Sequence, residues 1–305
     1  MKKTWQGHSG RVVTKKNKYN VIDCKSCGFK HIIPLPKEKQ VTDFYKNSFY
    51  ENYWSDYIKN NVKEVEWRNI EYNEKYDLLE NFLPNKKQRK LLDVGSGPGL
   101  FLKKGIDRGW MATGIEPGKR AWKYSTVNLH LKVHNTFFNE KNYKKFGLFH
   151  VVHLNNVLEH LLKPKLILSL ISKILKPDGL ICITVPNDFN PFQEIVANYY
   201  KKDKWWVDIK EHLNYFDLFS LTKLLKNTGI IPIYSSSSFP LEIFLLMGDD
   251  YISNPALGKK IHAKRKQFEI ALYKSGKLQL KKDLYRVLAK LRIGRQITIV
   301  GRKNS

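Results

Sequence analysis

The feature that most constrains the fold is a glycine-rich turn directly after a short apolar strand. Residues 91–94 (LLDV) read as a buried strand, and residues 95–99 (GSGPG) form a tight turn that lets a ligand approach the backbone. Glu116 follows 21 residues after Gly95, at the end of the next predicted strand, where a carboxylate can accept both ribose hydroxyls. Because Leu100 stands where a dinucleotide fingerprint needs its last glycine, the spacing disfavours nicotinamide and flavin cofactors.

From Lys90 onward, predicted strands alternate with predicted helices. This order specifies an α/β fold with a parallel, doubly wound sheet. Helices are predicted at 100–108, 165–175 and 218–227, and strands at 91–94, 111–115, 131–133, 149–154, 180–185, 230–234 and 296–301.

The 305-residue length suits one large domain with an appendage. Residues 1–36 alternate short apolar segments with turn residues, which predicts a small β-rich knuckle. Residues 37–84 carry apolar residues at helical spacing and form a predicted helical lead-in that ends at Pro84 and the basic run 85–90. The main domain is then expected over 85–305, with a helical insert at 239–295.

Four segments in this order resemble the class I S-adenosylmethionine-dependent methyltransferases over about residues 88–235. The segments are 91–99, Glu116, 151–160 (VVHLNNVLEH) and 175–180 (LKPDGL). The resemblance implies a Rossmann-like sheet of seven mostly parallel strands with helices on both faces, and S-adenosyl-L-methionine as cofactor. It further implies that Glu116 holds the ribose, that Asn155 borders the methionine end, and that the first motif lines the cofactor through Asp93, Gly95, Gly97 and Gly99.

The chain departs from that family at two places. His150 stands where these families usually carry Asp, and no clear polar residue for the adenine follows the third strand around Asn135 and Thr136.

Methyl transfer to a hydroxyl or a carbon acid needs a base as well as an in-line geometry. His160 and His212 follow the fourth and fifth strands, at the sheet edge where ligands bind, and are the candidate bases. Either histidine could instead serve a structural hydrogen bond. The loop that carries His212 follows Trp205 and Trp206, which could form an apolar wall over the site.

The stretch Glu211-His212-x-x-Tyr215-Phe216 is similar to a segment of the sugar C-methyltransferases, which act on nucleotide-linked deoxysugars. That resemblance implies that His212 and Tyr215 lie beside the substrate, and it implies an N-terminal zinc module. The chain lacks that family's further C-terminal α/β domain, since only about 55 residues (239–295) lie between its last two strands.

A second candidate site lies in the knuckle. Cys24-x-x-Cys27 is followed by His31 and preceded by His8, and two thiolates with two imidazoles could hold a tetrahedral Zn²⁺. Four protein ligands would make that zinc structural. The alternative is a reduced, unligated cysteine pair.

The charge is lopsided: 54 Lys and Arg against 28 Asp and Glu give +26, which attracts polyanions. Much of the excess positive charge lies in the predicted helices of 259–295. These basic residues form either a solvated helix face or a surface beside an anionic substrate such as a sugar nucleotide or lipid phosphate. Nucleic acid is a possible partner but is not favoured, since no recognised binding module is present. One buried face is expected at Phe268, Leu272, Leu284, Leu288 and Leu291.

The chain is therefore expected to methylate a small, anionic acceptor at oxygen or carbon, with a sugar, sugar nucleotide or glycolipid precursor as the leading class. The alternatives are an RNA or protein methyltransferase and a non-catalytic S-adenosylmethionine-binding regulatory protein. No run approaches the about 20 apolar residues of a membrane-spanning helix and no secretory signal is recognisable, so a soluble, cytoplasmic protein is expected.

Overall fold

The computed structural model describes residues 7–53, 56–83 and 88–304, so residues 84–87, which close the predicted lead-in, lie outside the described residues. The strands are β1 (Gly10–Lys16), β2 (Tyr19–Cys24), β3 (Lys30–Ile33), β4 (Lys90–Val94), β5 (Met111–Ile115), β6 (Val133–His134), β7 (Phe149–Asn155), β8 (Leu175–Pro186), β9 (Asn214–Tyr215), β10 (Ile230–Ser237) and β11 (Gln296–Lys303).

The described helices alternate with the strands of the main sheet. They are α1 (Glu38–Asp43), α2 (Tyr57–Lys63), α3 (Val65–Phe82), α4 (Leu100–Asp107), α5 (Lys119–Lys123), α6 (Pro164–Ile174), α7 (Pro191–Tyr199), α8 (Leu218–Lys226), α9 (Glu242–Leu246), α10 (Pro255–Lys274) and α11 (Leu278–Lys290). Segments of π-helix lie at Phe44–Tyr53 and Tyr124–Asn128, and segments of 3-10 helix lie at Tyr143–Phe146 and Leu158–His160.

The main sheet has seven strands in the order β10-β11-β8-β7-β4-β5-β6. Strands β4 to β8 run parallel, whereas β11 pairs antiparallel with both β8 and β10. The predicted doubly wound α/β fold is confirmed. Because β4 lies in the middle and is covered on both faces, its consecutive residues Leu91 and Leu92 are both fully buried.

The two faces of this sheet bury separate clusters. Leu92 packs with residues of α6 and α8, and Leu91 packs on the opposite face with Tyr76 of α3 and Phe101 of α4. The Tyr76 and Phe101 rings stack with their centroids 4.5 Å apart. Helix α3, part of the predicted lead-in, therefore contributes to the main core.

The predicted β-rich knuckle is a sheet in the order β1-β2-β3-β9, so a strand from the main domain completes it. Strand β9 pairs antiparallel with β3, through Lys30 with Tyr215 and His31 with Asn214. Val21 and Ile32 of this sheet share an apolar cluster with Trp206. The tryptophans thus pack against the N-terminal sheet, which joins it to the loop that carries His212.

Two strands begin two or more residues away from the predicted start. The third strand begins at Val133 because Leu131 donates its N–H to the Ser125 carbonyl, 3.0 Å away, at the end of the preceding helical turn. Strand β8 begins at Leu175, which pairs with Phe149, and residues 176–179 bulge out before the pairing resumes at Leu180.

The predicted buried face of the helical insert is wrong. Of its five residues only Leu288 is buried; Leu272 is half-buried, and Phe268, Leu284 and Leu291 are exposed. Besides a small apolar contact, the insert docks through polar residues, because α3 presents Trp67 and Glu74 to it. Buried Glu269 accepts hydrogen bonds from Trp67 Nε1 and, at 2.6 Å, from Tyr285 Oη, while Lys281 Nζ lies 2.8 Å from Glu74 Oε1.

No described helix is both long enough and apolar enough to cross a membrane.

Candidate functional site

The glycine turn between β4 and α4 holds the acidic side chain that follows β5. Gly95, Gly97 and Gly99 have φ of +73°, +54° and +82°, a left-handed backbone that side-chain-bearing residues rarely adopt. Glu116 lies beside this turn and accepts hydrogen bonds from the N–H of Gly97 at 2.8 Å and of Gly118 at 2.7 Å. The predicted cofactor residues Gly97 and Glu116 are thus in direct contact.

Burial sets the electrostatics of Glu116. Its side chain is only 3% exposed, and desolvation raises the pKa of its carboxyl to about 7, although the two backbone donors act in the opposite direction. A carboxylate offers about four acceptor positions, so the two backbone bonds leave two positions, one of which a hydroxyl of the protein fills. The site therefore meets the chemical requirement for holding a ribose.

Two tyrosines from the helical lead-in cover this carboxylate. The Tyr50 hydroxyl donates a hydrogen bond to Glu116, and Tyr50 is itself buried. The space beside Gly97 is bounded by the Tyr50 hydroxyl and the Tyr57 ring. Sequence reasoning missed both residues; the only available signal was the density of aromatic side chains in 44–57.

The other predicted cofactor residues have partners of their own. Buried Asp93 pairs through Oδ1 with His153 Nδ1 at 2.7 Å, and so braces the strand beneath the turn. Asn155, at the carboxyl end of β7, accepts a hydrogen bond from Lys75 Nζ at 2.7 Å. Asn135 donates to the carbonyl of Glu116 at 2.9 Å, which puts a polar side chain where none was clearly predicted.

The candidate bases His160 and His212 lie together, with their ring centroids 5.2 Å apart. His160 Nδ1 bonds the Glu211 carbonyl at 2.7 Å, which orients the ring and ties it to the loop that carries His212. Burial lowers the pKa of His160 to about 4 and that of His212 to about 3. Both imidazoles are therefore neutral near pH 7.

Two carboxyl groups adjoin these histidines, and sequence reasoning missed both. Asp188 follows β8, with Oδ2 3.9 Å from His212 Nδ1, and burial raises its pKa to about 7. Glu159 is buried, with Oε1 3.7 Å from His160 Nε2, and desolvation raises its pKa. Ligands of an open α/β sheet bind at the carboxyl ends of its strands. Examining the residues after β8, as was done for β7, would therefore have identified Asp188.

Several polar atoms of this cluster are buried without a hydrogen-bond partner among the described residues: Glu159 Oε1 and Oε2, Asp188 Oδ2, His212 Nδ1 and Tyr215 Oη. Buried polar groups are costly when unpaired, so the cluster is suited to a polar ligand. One ligand atom each from Glu159, His160 and His212 lies within 4.8 Å of the others, a spacing that a divalent cation could also bridge.

A cleft of about 510 Å³ lies next to this cluster, between the N-terminal sheet, α1 and the loop 209–213. Tyr45 belongs to its lining, and the Tyr45 ring is 5.5 Å from that of His160, centroid to centroid. The Tyr45 hydroxyl also donates to the Glu211 carbonyl at 3.3 Å. The lining combines polar residues such as Asn17, Lys18 and Gln40 with aromatic and aliphatic residues such as Tyr19 and Ile32.

The predicted metal ligands converge in the N-terminal sheet. His8 Nδ1 lies 3.6 Å from Cys24 Sγ and 3.3 Å from Cys27 Sγ, and all four ligand atoms, including one from His31, lie within 4.8 Å of one another. Zinc with ligands at about 2.0–2.3 Å needs ligand atoms about 3.3–3.8 Å apart. His31 Nδ1 bonds the Ile32 carbonyl at 3.0 Å, while its Nε2 is buried without a partner among the described residues. The four residues fit a tetrahedral zinc.

Comparison with known proteins agrees with this geometry. A family model described as a methyltransferase domain matches residues 66–231, which is more than half of the chain. No curated protein sequence matches the chain significantly.

The solved structures to which the chain is similar have low sequence identity to it. A chain from a complex of the Haloferax volcanii Trm112 methyltransferase activator is 14% identical, with 86% of this chain and 98% of that chain covered and a TM-score of 0.52. A SAM-dependent methyltransferase from Archaeoglobus fulgidus is 17% identical, with 79% of this chain and 98% of that chain covered and a TM-score of 0.49. Phosphoethanolamine N-methyltransferase 2 from Haemonchus contortus is 15% identical, with 96% of this chain and 71% of that chain covered and a TM-score of 0.49.

Proposed function

Since this chain belongs to the S-adenosylmethionine-dependent methyltransferases, we propose that it methylates a sugar, a sugar nucleotide or a glycolipid precursor at oxygen or carbon. The observation that carries this acceptor class is the cleft beside His160. Its volume of about 510 Å³ suits a small molecule rather than a folded macromolecule. Much of its lining is apolar, and the amide and cationic side chains of Asn17, Gln40 and Lys18 suit the hydroxyls and negative charge of such a ligand.

The cofactor would be held by the turn and the acid that the sequence predicts. Gly95, Gly97 and Gly99 form the left-handed turn against which the cofactor would pack, and Glu116 offers acceptor oxygens for the ribose. Asn155 lies at the carboxyl end of β7, in position to contact the methionine end. When bound, S-adenosyl-L-methionine supplies an electrophilic methyl group on a sulfonium.

The chain's own residues would prepare the acceptor. Neutral His212 has a lone pair with which to take the proton from an acceptor hydroxyl or carbon acid. The Asp188 carboxylate, 3.9 Å from Nδ1, would stabilise the resulting imidazolium, which burial otherwise disfavours. His160 would position the loop by its bond to the Glu211 carbonyl, and Tyr215 lines the same cluster with a hydroxyl that has no hydrogen-bond partner within the described part of the chain.

The experiment replaces the proposed base and supplies candidate acceptors. Purified protein with labelled S-adenosyl-L-methionine would be screened against nucleotide-linked sugars and lipid-linked sugars, with RNA and a protein mixture alongside. Because general-base catalysis contributes about 10²–10⁴-fold, His212→Ala is expected to reduce turnover of the sugar acceptor at least a hundredfold. Its calorimetric affinity for the cofactor should stay within about twofold, since His212 does not contact the glycine turn.

The matched control is His130→Asn, which changes an exposed histidine and keeps a residue that tolerates the φ of +53°. This variant should retain full turnover. Full activity of His212→Ala would remove His212 from the mechanism. Methylation of RNA or protein, with no sugar acceptor used, would instead refute the acceptor class.

We also propose that His8, Cys24, Cys27 and His31 hold a structural zinc. Four protein ligands leave no open coordination position, so the metal would stabilise the fold rather than take part in methyl transfer. Since His31 pairs with Asn214 two residues from His212, the zinc would also stiffen one wall of the acceptor site.

A further inference from the structure

Helix α11 carries an apolar stripe that faces solvent. Its members follow one another at intervals of four, three and four residues, which places them on one side of a helix. Their exposed fractions are 58% for Leu280, 36% for Leu284, 49% for Val287 and 58% for Leu291. The stripe extends along the whole helix, about 16 Å at 1.5 Å per residue.

The stripe is separate from the face by which α11 docks. The docking face is buried and consists of Lys281, Tyr285, Leu288 and Ala289. Tyr285 and Leu288 belong to an apolar cluster that also includes Ile293. Packing of the insert therefore does not explain why this exposed row is apolar.

Basic side chains surround the stripe. Lys277 precedes the helix, Arg286 and Lys290 lie on its exposed surface, and Arg292 follows it. Residues 277–292 contain one acid, Asp283, whose Oδ1 accepts from Gln279 at 3.0 Å and lies 3.8 Å from Arg286. This surface is therefore strongly cationic, on a chain whose net charge is +26.

We propose that α11 docks the enzyme on an anionic membrane surface. An apolar stripe flanked by Lys and Arg is the arrangement that lies in the plane of a bilayer, with the apolar side chains at the acyl boundary and the cations at the head groups. Each nearby Lys or Arg adds attraction to anionic lipid. A second copy of the chain would cover the stripe less favourably than a membrane, because pairing two stripes would bring two cationic helices together.

The docking is peripheral, as no described helix is long and apolar enough to span the bilayer. It accounts for an exposed apolar row and for a positive charge that the cofactor site does not use. It does not depend on which acceptor is methylated, so its failure would leave the proposed function standing.

The experiment measures co-sedimentation of the full chain with vesicles of phosphatidylcholine alone and of phosphatidylcholine mixed equally with phosphatidylglycerol. Wild type is expected to bind the mixed vesicles at least tenfold more tightly, and binding should weaken as salt rises. The double variant L284E/V287E should lose at least tenfold in binding to the mixed vesicles. Both positions face solvent, so its thermal unfolding should match wild type.

The matched control is Val127→Glu, the same chemical change at a valine that is 58% exposed elsewhere on the surface. This variant should bind vesicles as wild type does. Equal binding by L284E/V287E and wild type, or no preference for the anionic vesicles, would overturn the proposal. So would a dimer in sedimentation velocity that L284E/V287E abolishes, if wild type ignores the vesicles.

Discussion

Replacing Glu116 by Gln should stabilise the cofactor-free protein above neutral pH, although Glu116 is proposed to bind the ribose. Burial raises the pKa of this carboxyl from its ordinary 4.5 to about 7. Folding therefore favours the protonated form, and the stability that this form contributes is complete below pH 4.5 and is lost as the pH rises to 7. At 1.36 kcal/mol per pH unit, the loss amounts to about 3 kcal/mol.

Urea unfolding of wild type and Glu116→Gln, followed from pH 4.5 to pH 8, measures this loss. Gln does not titrate, so the free energy of unfolding of the variant should rise relative to wild type by up to about 3 kcal/mol over that range. Comparing the two proteins at each pH cancels the other titrating groups and any constant cost of a lost hydrogen bond. Glu140→Gln, at an exposed carboxylate, is the control and should run parallel to wild type.

The same variant should bind S-adenosyl-L-methionine at least tenfold more weakly, because an amide cannot offer two charged acceptors to the ribose hydroxyls. Isothermal titration calorimetry would measure the affinity. Parallel stability curves for wild type and Glu116→Gln would refute the reasoning about burial. Unchanged cofactor affinity would remove Glu116 from the cofactor site.

Three further changes test other parts of the structure. Tyr50→Phe should raise cofactor affinity about fivefold, as measured by calorimetry, because the Tyr50 hydroxyl occupies an acceptor position on Glu116 that a ribose hydroxyl would take. Weaker binding would mean that the Tyr50 hydroxyl contacts the cofactor. Elemental analysis should find about one zinc per chain and almost none in Cys24→Ser, which should also unfold at a lower temperature; less than about a tenth of an equivalent in wild type would end the zinc proposal. Glu269→Leu should lower the free energy of unfolding by about 3 kcal/mol, because it leaves two buried donors, one of them Trp67 Nε1, without their acceptor. An unchanged urea midpoint would show that the polar contact between the insert and α3 adds no stability.

Local pattern was enough to predict the α/β sheet and to single out Gly97 and Glu116, which the structure brings into contact. The turn 95–99 and Glu116 are joined through adjacent parallel strands, so their contact follows from the order of the segments. The convergence of His8 with Cys24 and Cys27 likewise follows from an antiparallel pair of strands that is local in sequence. Contacts of this kind depend mainly on the order and spacing of neighbouring segments, so they can be predicted from local sequence patterns.

The prediction for the insert failed because periodicity identifies an apolar face but not what covers it. Leu284 and Leu291 lie at positions that would suit a core, yet α3 offers the insert Trp67 and Glu74, which select the polar side of its helices. The buried face of a helix depends on its neighbour, and here the neighbour is about 200 residues away along the chain.

The sequence by itself was enough to predict a methyltransferase domain and its cofactor, and to single out His160 and His212, because each is marked by a local motif near a strand end. Only the tertiary structure decided what surrounds them. It laid Tyr50 on Glu116, brought Asp188 to His212, and paired β9 with β3, which joins the N-terminal sheet to the segment that carries His212. These contacts join segments far apart in the chain, and only packing brings such segments together.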